Sequence, residues 1–127
     1  MRERPDTTPD TEFFWQAGHD GVLRILGCAR CLYLIHPPAP YCPACGSREV
    51  RPRDVSGLGT VFAHTVVAGG PPTVVAIVEL AEQSDLRLMT SIVGCPAENV
   101  EVGQAVEVTF EPCDDLMIPL FQLREPT

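Results

Sequence analysis

Four cysteines in this chain have the residue type and spacing to do chemistry together. Cys28-Ala-Arg-Cys31 is followed ten residues later by Cys42-Pro-Ala-Cys45-Gly46. Two residues between paired cysteines let both sulfurs of a tight turn face one point, so two such knuckles offer four thiolates to one tetrahedral ion. Zinc is the expected occupant, held structurally, because it suits four thiolates at about 2.3 Å and makes no ligand-field demand. Rubredoxin-like iron uses the same ligand set and is the alternative. Disulfides or a redox dithiol are disfavoured, since no βαβ pattern surrounds either pair. Gly46 supplies the φ > 0 that such a turn often needs just past its second ligand, and Leu32 stands at that position in the first knuckle. Four thiolates leave no open coordination position, so the metal is expected to build structure and perform no catalysis.

Little else in the chain points to catalysis. There is no Gly-x-Ser-x-Gly elbow, no phosphate loop and no Gly-x-Gly-x-x-Gly. His64 lies mid-strand with Phe62 and Val66, and reads as a structural histidine. Cys95 and Cys113 read as small buried hydrophobes, and Asp114-Asp115 as a solvated turn. No catalytic residue is assigned.

The elements that must position the cysteines are short. Thr8-Pro9 suggests an N-cap with proline at the first helical position, opening a helix that carries Phe13-Phe14-Trp15 and stops near Gly18 or Gly21. Three consecutive aromatics cover about 200° of a helix at about 100° per residue. One face cannot bury all three, so either protein covers both sides or a ring docks on a partner. Val22 to Leu26 enters the first knuckle, Leu32 to Ile35 leaves it, and His36-Pro37-Pro38-Ala39-Pro40 is a stiff connector. Arg48 to Arg53 reads as a polar exit strand.

Residues 57–123 change character, with five β-like runs at 59–67, 73–80, 86–93, 104–111 and 116–123. Gly69-Gly70-Pro71-Pro72 turns between the first two. Pro119 in the last run implies an edge or a bulge. The longest connection falls between the third and fourth runs, as in a five-stranded OB-fold barrel. The expected fold is mainly β: a leader and aromatic helix over 1–21, a rubredoxin-like zinc ribbon over 22–55, and an OB-fold over 56–127.

No run of about 18 apolar residues is present, and the first residues carry no apolar stretch, so neither a transmembrane helix nor a signal peptide is expected. A reducing, cytoplasmic setting follows, in which paired cysteines favour metal over disulfide. The net charge is −8, and all nine cations are arginine. Residues 61–127 hold only Arg87 and Arg124 against ten acids, an unfavourable setting for a nucleic-acid backbone.

An aromatic helix (Glu12-Phe13-Phe14-Trp15), the ribbon, Ser56-Gly57-Leu58-Gly59-Thr60-Val61, the strand Val74 to Leu80 and Val102-Gly103-Gln104-Ala105-Val106-Glu107-Val108 stand in this order. The pattern resembles the domain-of-unknown-function family that joins a rubredoxin-like zinc ribbon to an OB-fold, over about residues 10–123. The resemblance implies an acyl-CoA-associated or scaffolding subunit of a thiolase-like enzyme. In actinobacterial steroid side-chain degradation a related domain forms a complex with a thiolase-fold aldolase. It also implies metal ligation by Cys28, Cys31, Cys42 and Cys45, with partner contacts through Phe13, Phe14, Trp15 and the ribbon. Acyl-CoA phosphates would want arginine, and the candidates are Arg24, Arg30, Arg48, Arg51 and Arg53. The alternatives are a single-stranded nucleic-acid-binding ribbon/OB module, disfavoured by the acidic barrel, and a stand-alone acyl-CoA carrier or small hydrolase.

Overall fold

The structure, a computed structural model, describes residues 4–67 and 73–124. A short helix α1, Glu12–Gln16, runs into a 3-10 turn, Ala17–Asp20, closed by Gly21 at φ 74°. The helix starts three residues later than Pro9, because residues 9–11 form a turn in which the Thr8 carbonyl accepts the N–H groups of Thr11 and Glu12, each at 3.0 Å. Strands β1 (Leu23–Cys28), β2 (Leu34–Ile35) and β3 (Val50–Val55) form a three-stranded antiparallel sheet in the order β2-β1-β3. The central strand β1 is buried along nearly all its length. Its register sets Leu26 opposite both Ile35 and Pro52, and Arg24 opposite Asp54.

The remaining strands are β4 (Leu58–Val67), β5 (Thr73–Leu80), β6 (Arg87–Val93), β7 (Ala105–Cys113) and β8 (Leu116–Leu123). They close into a barrel in the order β4-β5-β6-β8-β7, with β6 and β8 parallel. This is the connectivity of an OB-fold, and the long connection between β6 and β7 carries only a 3-10 turn, Ala97–Asn99. The expected turn at Gly69-Gly70-Pro71-Pro72 lies outside the described residues. Val61, Val78, Val106, Leu116 and Phe121 are fully buried and fill the barrel core.

Two local features depart from the sequence expectation. Closure removes the edge that Pro119 suggested. β8 pairs with β6 at Ile92–Phe121 and Val93–Gln122, beyond the proline, and the Pro119 carbonyl instead accepts the Thr90 hydroxyl at 3.2 Å. In β4 the pairing jumps from Val61–Val78 to Ala63–Ile77, so Phe62 is an extra, bulged residue. The bulge breaks the alternation that grouped His64 with Phe62, and His64 stands exposed opposite Ala76.

The chain divides into two compact units, Met1–Ser56 with Phe110–Ile118, and Gly57–Thr109 with Pro119–Thr127. In the first, the β7–β8 hairpin end clasps the 3-10 turn: His19 Nε2 lies 2.9 Å from the Asp115 carbonyl, and Arg4 pairs with the Asp115 carboxylate at 3.0 Å. Arg4 holds that carboxyl below its usual range. Gly18 is required at this approach, because a Cβ there would come within 2.5 Å of Met117 Cβ and 2.7 Å of the Phe110 ring.

Candidate metal centre

The two knuckles are built alike. In each, the N–H following the second cysteine bonds back to the carbonyl of the first: Leu32 to Cys28 at 3.0 Å and Gly46 to Cys42 at 2.8 Å. Both turn-closing residues are left-handed, Leu32 at φ 69° and Gly46 at φ 80°. Backbone N–H groups point at the sulfurs, from Arg30 and Cys31 to Cys28 Sγ and from Ala44 to Cys42 Sγ, each at 3.4 Å. The first cysteine of each pair is anchored, since Cys28 and Cys42 belong to a buried cluster with Leu26 and Ile35. Cys31 and Cys45 are exposed.

All four Sγ atoms lie within 4.8 Å of one another. The closest pairs across the knuckles, Cys28–Cys45 and Cys31–Cys42, are both 3.6 Å apart. A tetrahedron with metal–sulfur bonds of about 2.3 Å has edges of about 3.8 Å. The cluster therefore fits the four-thiolate donor set of a zinc ribbon, with the N–H groups supporting negative sulfur. The Cys31 N–H is the main cause that lowers the Cys28 thiol to about 6. The Tyr33 N–H works in the same direction on Cys31, yet local desolvation and the three neighbouring sulfurs raise that thiol to about 12. Gathered sulfurs cannot all ionise without a cation among them, so filling the site must expel protons.

The arginine candidates separate into two groups. Arg24 is committed, its Nε to Asp54 at 2.7 Å and its Nη1 to Asp20 at 2.9 Å, and these two carboxylates raise its pKa. Arg53 lies across Gly27, where any Cβ would meet its side chain, and donates to the Leu32 carbonyl at 3.2 Å. Arg30, Arg48 and Arg51 are exposed and carry no ion pair among the described residues.

The aromatic helix is largely consumed by its own unit. Phe14 is buried, stacked on His36 at 5.3 Å and edge-on to Trp15 at 4.9 Å. Phe13 is half-buried against the cluster that holds Cys28 and Cys42. Burial keeps the His36 imidazole below its ordinary pKa. Cys95 and Cys113 are half-buried rather than fully buried. The sequence pattern did not disclose an uncharged cross-strand row in the barrel, Ala63–Ile77–Met89, whose Met89 is 74% exposed. A methionine in a strand is read by default as core, and only the register places it outside. Among the described residues no helix is long and apolar enough to cross a membrane.

Comparison with known proteins agrees with this anatomy. Residues 15–51 match the family model of the ChsH2 rubredoxin-like zinc ribbon domain, and residues 52–111 that of the ChsH2 C-terminal OB-fold domain. The chain is similar to a chain of the solved Ltp2-ChsH2(DUF35) aldolase, with a TM-score of 0.84 at 35% identity, covering 94% of this chain and 98% of that one. It is 35% identical over 99% of its length to a probable enoyl-CoA hydratase alpha subunit of Thermomonospora curvata, of which it spans 41%. It is also 31% identical to a DUF35 domain-containing scaffold protein of Methanothermobacter thermautotrophicus, covering 65% of this chain and 67% of that one. A DUF35-family structure from Sulfolobus solfataricus, at 16% identity and a TM-score of 0.65, shares the fold.

Proposed function

Because the chain belongs to the DUF35 family of zinc-ribbon and OB-fold proteins, we propose that it is a non-catalytic accessory subunit that binds and supports a thiolase-like enzyme acting on acyl-CoA thioesters. The observation that carries this reading is the near-complete match, at 35% identity, to a chain of an Ltp2-ChsH2(DUF35) aldolase. The name of that aldolase joins such a chain to Ltp2. Cys28, Cys31, Cys42 and Cys45 hold one Zn2+ that sets the two knuckles against β1. A closed thiolate set offers no site for substrate, so the ion braces a platform.

An acyl-CoA role draws support from the names of two relatives, the hydratase subunit of Thermomonospora curvata and the 3-oxo-4,17-pregnadiene-20-carboxyl-CoA hydratase alpha subunit of Mycobacterium tuberculosis. The pregnadiene skeleton in the second name supports a steroid side-chain setting, and the aldolase partner rests on the name of the Ltp2-ChsH2(DUF35) structure. The chain spans only 41% and 35% of these two proteins, so their activities are not carried over whole. Where CoA phosphates approach the ribbon, Arg30, Arg48 and Arg51 are the free cations to meet them, whereas Arg24 already serves two carboxylates.

Co-expression with a thiolase-like enzyme encoded beside it tests the proposal. The expected result is a stable complex with turnover dependent on both chains and none from this chain alone. A chain that stays unbound beside every such neighbour, or that turns over acyl-CoA alone, overturns it.

A further inference from the structure

The first unit contains a groove of about 350 Å³ lined by Pro9, Asp10, Phe13, Leu26, Val50, Pro52 and the Pro38-Ala39-Pro40 segment. Its floor follows from register, because β1 and β3 set Leu26 opposite Pro52 and place Val50 on the same face. Phe13 and the proline connector supply walls. The volume falls in the range of small-ligand sites, and the lining chemistry is one-sided.

No lining side chain carries a hydrogen-bond donor, and the prolines lack even a backbone N–H. The only ionisable group in the lining is Asp10, an exposed carboxylate with no ion pair among the described residues. The lining side chains offer no donor to a phosphate or a carboxylate. It suits a cation on an apolar stem, with the stem against proline and leucine and the charge between a carboxylate and an aromatic ring. Arginine meets this description better than lysine, since its guanidinium is planar, weakly hydrated and stacks on flat surfaces.

We propose that this groove receives an arginine side chain of the partner enzyme, with Asp10 as its counter-charge and Phe13 as its aromatic wall. The identity of the partner rests on the function proposed above; the preference for a guanidinium does not. The ribbon unit thus offers groups of opposite charge. Arg30, Arg48 and Arg51 are available to anions, and the Asp10 groove is available to a basic anchor.

The test uses the full-length, zinc-loaded chain. Nα-acetyl-arginine-N-methylamide is titrated while backbone amide NMR signals are followed, with the norleucine and glutamate analogues as controls. Shifts at Asp10, Phe13, Leu26, Ala39 and Val50 with the arginine probe, weakened about fivefold by Asp10→Asn, are the expected result. Equal shifts with norleucine mean an apolar groove without charge selectivity and overturn the proposal, as do shifts with the glutamate probe or none at all. A second arm measures binding of the thiolase-like partner. Loss on Asp10→Lys, in a chain whose NMR spectrum is otherwise unchanged, supports the anchor, and undiminished binding of that variant overturns it while leaving the accessory function standing. Failure of the unsubstituted chain to bind the partner counts against the accessory function, whereas the arginine probe reads the groove on its own.

Discussion

The two knuckles invite a paired experiment, because they perform the same turn with different residues. Leu32 and Gly46 both close their turns at positive φ, 69° and 80°, and both return an N–H to the first cysteine carbonyl. An L-residue held in this left-handed region costs about 1–2 kcal/mol. At Gly46 an added Cβ meets nothing within 4 Å, so Gly46→Ala isolates that backbone cost. For a small metal-stapled module the free energy of metal binding is shared with folding. Alanine's smaller freedom in the unfolded chain takes back about 0.5–1 kcal/mol, and the remaining penalty of about 0–1.5 kcal/mol weakens apparent zinc affinity by up to about twelvefold. At Leu32 the reverse holds. Its side chain is 62% exposed, so Leu32→Gly loses little burial and relieves the same backbone cost. Glycine's greater freedom in the unfolded chain takes back about 0.5–1 kcal/mol, leaving a net gain of about 0–1.5 kcal/mol. Competition with a chromogenic chelator reads both affinities, and thermal melts of the zinc-loaded proteins read both stabilities. The reasoning is refuted if Gly46→Ala binds zinc more tightly than the parent, or if Leu32→Gly weakens binding.

Other outcomes follow from single contacts. Cys42→Ser removes a ligand that is also part of the buried cluster, so zinc measured by mass spectrometry should fall below one per chain and NMR signals of residues 23–55 should broaden. His36 is buried with a depressed pKa. The unfolded chain therefore binds its proton first, and stability should rise as pH climbs from the folded-state pKa to about 6.5 and level off above it. His36→Gln should flatten that part of the curve in denaturant titrations run across pH. Gly18→Ala should destabilise by about 1–3 kcal/mol through overpacking. Met117→Ala should not rescue it in melts, because the clash is with Met117 Cβ.

The paired cysteines were legible because metal ligation needs only residue type and local spacing, and a Cys-x-x-Cys turn presents both sulfurs wherever it lies. The five barrel runs were legible for a similar reason, since alternation along a strand and the turns between strands are local. The bulge at Phe62 was not, because it is defined by what Val61 and Ala63 pair with across the sheet. Nor was the closure around Pro119: of the edge or bulge that it implied, the edge depends on whether a neighbour needs the missing N–H, and β6 pairs with β8 beyond it.

By itself, the sequence determined that four thiolates would meet, that a ribbon would precede a β-barrel, and that the barrel half would be acidic. Tertiary structure decided which side chains remain free to act. Arg24 is spent on Asp20 and Asp54, and Phe14 on His36 and Trp15. Asp10 is left facing a groove whose lining side chains offer no hydrogen-bond donor. The physical reason is that a side chain's availability depends on partners distant in sequence, which periodicity and spacing do not record.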